Sequence, residues 1–259
     1  MWSLQILIIS SILLYIGFGL YLYIYQRRFL YHPTPPIQNS QVPITKIRSG
    51  FRLIPVIILN HRQPNAIIYF GGNSEAVHLS AKTYSALFPK HTIYLACYRG
   101  YGGNKGTTSE TALYRDALTV YDYALPKHHA ISVIGRSLGS GVATYLAANR
   151  AVERLVLVTP YDSVESVAQA MYPFYPISWL LTDKFDSISR VPKITALTLI
   201  VLTEHDDVVP HNHSLRLAKA FAPGQVFVRL IPNTTHSHFD KNGNYRNLLR
   251  AFLELYSII

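Results

Sequence analysis

Residues 131–150, ISVIGRSLGSGVATYLAANR, join a β-branched run to an alanine-rich stretch through three glycines in seven residues. This junction restricts the fold more than any other feature of the chain. A strand that ends in Gly135-Arg136-Ser137-Leu138-Gly139 and turns at once into a helix must bring strand, turn and helix very close together. In that setting G-x-S-x-G reads as a nucleophile elbow: the serine takes a strained backbone conformation, and glycines two positions either side keep it clear of strand and helix. Gly141 lets the helix lie close to the sheet. The competing reading is a plain glycine-rich loop for a phosphate. It lacks support, because neither G-x-G-x-x-G nor G-x-x-x-x-G-K-[ST] occurs.

The rest of the chain supplies the matching sheet. Short β-like runs read ITKIRS, LIPVIIL, NAIIYF, HTIYLACY, AISVIG, RLVLVT, TALTLIVLT and QVFVRLI. Helical patterns fall among the later ones. The run TTSE at 107–110 has capping-box spacing, with Leu113, Ala117, Val120, Tyr121 and Ala124 as the apolar stripe that follows. Two further helices are expected around 214–221 and 245–256. Strands alternating with helices give an α/β fold with a mainly parallel sheet covered on both faces.

The N-terminus sets a second constraint. Residues 4–25 contain no charge, and at about 1.5 Å per residue they reach about 33 Å, enough to cross a hydrocarbon core. Trp2 at one end and Tyr21, Tyr23 and Tyr25 at the other suit the two interfaces. A cleaved signal fits poorly, since there is no basic start and no small-residue cleavage site. Lys and Arg are absent before the segment, while Arg27 and Arg28 follow it directly, so the positive-inside rule puts the large C-terminal part in the cytoplasm. The expected organisation is therefore an anchor over 1–27, a proline-rich linker over 28–43 and an α/β domain over 44–259.

The net charge of +10 raises two partners, nucleic acid and an anionic membrane surface. The basic residues are scattered, with no helix-turn-helix or RNP-like pattern, so the membrane surface is the better fit. A single cysteine, Cys97, excludes an internal disulfide framework. The histidines show no H-E-x-x-H or multi-cysteine spacing, and no metal or cofactor is expected.

A nucleophilic serine needs a base, and the base an acid, in the chain order Ser, Asp, His for this topology. TALTLIVLT ends in EHDDVVP, offering Asp206 and Asp207, and QVFVRLI ends in PNTTHSHFD, offering His236 and His238. Asp162, after RLVLVT, is a further carboxylate at the same sheet edge. Each has an ordinary alternative: Asp207 can cap the next helix, and a loop histidine is commonly solvated.

With these residues in view, the chain resembles the membrane-anchored α/β-hydrolase-domain serine hydrolases. That group is related to serine aminopeptidase-like hydrolases, and includes protein depalmitoylases, lysophospholipid and acylglycerol lipases and small bacterial homologues with one N-terminal anchor. The resemblance rests on LYHPTP, YFGGNSE, YRGYGGNKGTTSE, GRSLGSGVA, TPYDSV and DDVVP, and on the final histidine. It implies Ser137 as nucleophile, Asp206 as acid in a D-x-V-[IV]-P pattern, and His236, three positions after Asn233, as base. It also implies an oxyanion hole from the backbone N–H groups of Leu138 and Asn73. Two positions depart from the family's pattern: Gly71 stands where its His-Gly-Asn has histidine, and Cys97 where it has aspartate.

Residues 167–181, VAQAMYPFYPISWLL, lie where this fold inserts its cap. A small lid over about 164–184 is expected to line an acyl pocket, with Tyr172, Phe174 and Trp179 as substrate-binding residues. The function expected is hydrolysis of ester or thioester bonds in acylated or lipid-like substrates. Two alternatives stay open: an aminopeptidase-like serine peptidase, and a catalytically silent, membrane-tethered binding protein.

Overall fold

A computed structural model describes residues 2–36 and 42–254. Its first element is a single long helix, α1 (Trp2–Leu30), apolar and long enough to cross a membrane and largely exposed along its length. The linker lies only partly within the described residues. Helix α8 (Gly243–Glu254) ends at the last of them, so the final two residues of the expected 245–256 helix lie outside.

Eight strands form one sheet: β1 (Ile44–Ser49), β2 (Arg52–Leu59), β3 (Asn65–Phe70), β4 (His91–Ala96), β5 (Ala130–Arg136), β6 (Arg154–Val158), β7 (Leu197–His205) and β8 (Val226–Thr235), in the order β1-β2-β4-β3-β5-β6-β7-β8. The β1–β2 and β2–β4 pairs are antiparallel and the rest parallel. Every residue of β4 is buried, as expected of a strand covered on both faces. Helices α3 (Glu110–Ala124) and α4 (Leu138–Asn149) belong to the apolar cluster on one face, and α2 (Ala81–Leu87) and α8 to that on the other. Helix α7 (His211–Lys219) sits between β7 and β8 in sequence. The cap consists of α5 (Val164–Met171) and α6 (Ile177–Leu180).

Two local readings need correction. The N-cap of α3 is Ser109, whose Oγ accepts from the Ala112 N–H at 3.3 Å, and not Thr107. Glu110 is then the first helical residue and cannot reach back as a capping box requires. Its carboxylate accepts from the Lys184 N–H (2.6 Å) and pairs with Arg190 (3.3 Å), tying α3 to the segment after the cap. Helix α2 was not expected, because its seven residues are too few to show a period.

The sheet's carboxyl edge is held by two charge clusters built on the buried carboxylates Asp116 and Asp162. Arg99 is paired with Asp116 of α3. Asp162 accepts from His213 Nδ1 (2.8 Å) and Arg216 Nε (2.7 Å) of α7. Asp162 is therefore spent on joining β6 to α7.

The elbow is the tightest contact in the fold. A Cβ at Gly139 would come within 2.6 Å of the Gly71 carbonyl oxygen at the end of β3, and one at Gly135 within 2.5 Å of the Ala143 Cβ. Backbone cannot yield as a side chain can. Gly139→Ala is therefore expected to cost about 3 kcal/mol or more, lowering the thermal midpoint by several degrees relative to wild type in a circular-dichroism melt.

Candidate active site

Ser137 sits between β5 and α4 with φ 48° and ψ −115°, a conformation that side-chain-bearing residues rarely adopt. Its N–H donates to the Val158 carbonyl of β6 at 2.9 Å, and its own carbonyl accepts from both the N–H and the Oγ of Ser140. These bonds hold the turn against its strain. The Ser137 Oγ is presented at the sheet's edge, 2.9 Å from His236 Nε2. His236 follows β8, and its Nδ1 lies 2.8 and 3.0 Å from the two oxygens of Asp206, which follows β7. Asp206 also accepts from the N–H groups of Val208 (3.0 Å) and Val209 (2.7 Å). Of the three carboxylates open at the sequence level, Asp206 is the one that meets a histidine next to Ser137. Asp207 is exposed, and Asp162 holds α7.

Burial works to raise the Asp206 pKa, but the hydrogen bonds from His236, Val209 and Val208 outweigh it and hold the carboxyl below its ordinary range. Cys97 is buried in the sheet, and burial pushes its thiol up to about 12. It is a neutral core side chain.

The loop opposite the elbow, Gly71-Gly72-Asn73, is fixed without the family's histidine. Any Cβ at Gly71 would lie 2.6 Å from Val77 Cγ1, so this position has no room for a side chain as the loop stands. Instead the Glu75 carboxylate accepts from the Gly72 N–H (2.7 Å), the Tyr69 hydroxyl (2.7 Å) and Arg136 (3.2 Å). Arg136, the variable residue before Ser137, also donates to the His236 carbonyl at 3.3 Å. One part-buried ion pair thus joins the Gly71-Gly72-Asn73 loop, the elbow and the His236 loop. The motif tyrosines complete the frame: the Tyr98 hydroxyl donates to Gly71 O (2.9 Å) and the Tyr101 hydroxyl to Asn73 Oδ1 (2.6 Å). Asn73 Nδ2 donates in turn to Leu30 O at the end of α1 (2.7 Å).

Above Ser137, Leu138 and Asn73 lies a cavity of about 420 Å3, almost wholly apolar. From the cap it takes Val167, Met171, Tyr172, Ile177 and Leu180, and from α1 it takes Leu22, Gln26, Phe29 and Leu30. Of the three cap aromatics expected at an acyl pocket, Tyr172 lines this cavity. Phe174 and Trp179 do not line it: they are 83% and 85% exposed. An apolar aromatic pattern shows that a segment seeks apolar surroundings, but not on which side of it they lie. The α1 residues were missed because the anchor and the catalytic domain read as separate units. Glu75 was missed because a lone carboxylate three residues beyond a glycine pair shows no pattern of its own.

No family model matches the chain. Among curated proteins, an uncharacterised protein of Mycobacterium tuberculosis is 30% identical over 236 residues, covering 85% of this chain and 84% of that one. Lysophosphatidylserine lipase ABHD12 of Macaca fascicularis is 31% identical over 186 residues, covering 60% of this chain and 46% of that protein. Protein bem46 of Schizosaccharomyces pombe is 26% identical over 263 residues, covering 90% and 87%. Among solved structures, an esterase of Pyrococcus furiosus superposes with a TM-score of 0.70 at 15% identity, over 86% of this chain and 99% of that one. At that identity the likeness concerns the fold alone.

Two outcomes follow for the site. Glu75→Gln leaves Arg136 buried without its counter-charge and is expected to cost about 3 kcal/mol in urea unfolding. Because the folded Asp206 pKa lies below the unfolded one, its contribution to stability is fully present above about pH 4 and is lost as pH falls through the folded value. The acid-side fall in urea midpoint should accordingly be shallower in Asp206→Asn than in wild type.

Proposed function

The chain belongs to the α/β-hydrolase-domain serine hydrolases, and from that premise we propose that it is a membrane-anchored enzyme cleaving ester or thioester bonds of acylated or lipid-like substrates. The observation that carries the reading is the unbroken line from Ser137 Oγ through His236 to Asp206 at the floor of an apolar cavity.

In the mechanism, Ser137 Oγ attacks the substrate carbonyl carbon while His236 Nε2 takes its proton. Asp206 accepts the Nδ1–H bond, fixing the tautomer and stabilising the imidazolium. The carbonyl oxygen becomes an oxyanion bound by the N–H groups of Leu138 and Asn73, where the N-terminus of α4 adds favourable field. His236 returns the proton to the leaving oxygen or sulfur, an acyl-enzyme remains on Ser137, and water releases it by the same steps.

The substrate class follows from the cavity. Among the described residues its walls carry no Asp or Glu to receive the amine of a peptide substrate, which favours an acyl chain over an aminoacyl group. The relative named a lysophosphatidylserine lipase points the same way. Helix α1 serves as a single-pass anchor, with Arg27 and Arg28 at its domain end on the cytoplasmic side and facing an anionic leaflet.

A fluorophosphonate probe is expected to label wild type and not Ser137→Ala, with both proteins shown to be folded. His236→Ala should lower kcat/KM by about 10⁴-fold or more. Long-chain p-nitrophenyl esters should turn over far faster than aminoacyl anilides. A folded wild type that the probe leaves unlabelled would favour the silent binding protein, and faster anilide turnover would favour the peptidase.

A further inference from the structure

The cap is not attached to the rest of the molecule as an ordinary surface loop. From Ser166 to Thr182 it carries no charged residue, although charges stand immediately on either side, at Glu165 and Asp183. Asp183 accepts a charge-assisted hydrogen bond from Arg27 Nε at 2.9 Å and another bond from the Tyr31 hydroxyl. Glu165 pairs with Lys184. The charged margin of the cap is therefore level with the charged margin of α1.

Beyond that margin both segments run on together. Gln26 of α1 accepts from Thr182 and donates to the Leu180 carbonyl. Gly19 is buried against the Tyr175 ring. Tyr175 stacks on Tyr15 with ring centroids 4.6 Å apart, and the Tyr15 hydroxyl donates to the Phe174 carbonyl at 2.7 Å. Tyr15 lies twelve residues up the helix from Arg27, about 18 Å at the α-helical rise. Half a hydrocarbon core is only about 15 Å.

The backbone of the cap's turn is also provided for internally. The carbonyls of Tyr172, Phe174, Tyr175 and Pro176 all accept hydrogen bonds within the protein, two of them from Gln169 Nε2 and one from Tyr15. Pro173 and Pro176 have no N–H to satisfy. A turn in water has no need of this, because solvent serves its carbonyls. A turn in hydrocarbon cannot do without it. Phe174, Trp179 and Met171 of the cap stand largely exposed, like the apolar side chains of α1.

We infer that the cap is a second membrane-embedded element, sunk into the same leaflet as α1 with Phe174 and Trp179 among the lipid chains, and that the substrate's acyl chain passes sideways from the leaflet into the cavity between cap and anchor. The cavity walls fit this route. Helix α1 contributes Leu22 and Phe29 to them and the cap Met171, Ile177 and Leu180, so a chain moving in from the leaflet meets mainly apolar surface on its way to Ser137. The scissile bond would lie near the level of Arg27 and His32, where head groups sit. This inference rests on the proposal that α1 spans the membrane.

The chain has only two tryptophans, one at each place of interest. Trp2→Phe leaves Trp179 as sole reporter, and Trp179→Phe leaves Trp2. Both variants would be reconstituted in phosphatidylcholine–phosphatidylglycerol vesicles, with lipids brominated along the acyl chain or iodide in the buffer as quenchers. Trp179 is expected to emit at short wavelength, to be quenched by the brominated lipid and to be shielded from iodide. Iodide quenching of Trp179 while lipid still quenches Trp2 would overturn the inference and leave the anchor standing. Failure of lipid to quench either reporter would overturn both. In a second measurement, Phe174→Ser/Trp179→Ser should reduce the ratio of vesicle-borne to soluble short-ester turnover by about tenfold or more, and an unchanged ratio would count against the embedded cap.

Discussion

The close approach of α4 to the end of β3 is the constraint on which the rest of the site depends. It allows Ser137 to be held at φ 48°, a conformation that costs on the order of 1–3 kcal/mol and persists only where its surroundings leave no alternative. Here the Val158 carbonyl fixes the serine's N–H, Ser140 fixes its carbonyl, and Gly135 and Gly139 remove the side chains that would force strand and helix apart. The same approach brings the Gly71 carbonyl alongside the first turn of α4. The loop that carries Asn73 is thereby set opposite Ser137 before any side chain of that loop contributes.

What the side chains add is a shared frame. Glu75 and Arg136 are a poor source of net stability, because desolvating both charges offsets much of their attraction. Their value is geometric. A carboxylate that binds Gly72 N–H and an arginine that binds His236 O fix two loops of the site to the residue just before Ser137. Asn73 extends the frame to α1, since its side chain donates to Leu30 O while its Oδ1 accepts from Tyr101 and from the His32 N–H. Helix α1 is thus bonded to the loop that lies opposite the elbow, and that loop is held by these bonds although Gly71 carries no side chain.

The fold, and the loops that carry Ser137, Asp206 and His236, were legible because each leaves a pattern along the chain. Alternating strands and helices define the sheet, the glycine spacing marks the elbow, and the loops after β7 and β8 are where topology requires an acid and a base. The choice among Asp206, Asp207 and Asp162 was not legible from spacing, since all three follow strands at one edge. It is made by where His213 and His236 lie in three dimensions, each claiming one carboxylate. The start of α3 was misplaced for a comparable reason. In TTSE three residues can cap, and tertiary bonds decide among them: Thr108 is held by the Arg99 carbonyl and Glu110 by Lys184 and Arg190, leaving Ser109. Phe174 and Trp179 were assigned to the cavity because hydrophobicity carries no direction.

That last error bears on how the chain is organised. A sequence reading divides it at Arg27, with membrane on one side and enzyme on the other. In the folded chain the division runs across both segments at once. Arg27 meets Asp183 at one level, and Tyr15 meets Tyr175 well above it. An uncharged cap with its carbonyls bonded internally suits the apolar side of that boundary, as an uncharged helix does. Ser137 lines the same cavity as residues of α1 and of the cap. Under the proposed membrane placement, an acyl chain would reach Ser137 along walls that α1 itself helps to build, through Leu22, Phe29 and Leu30.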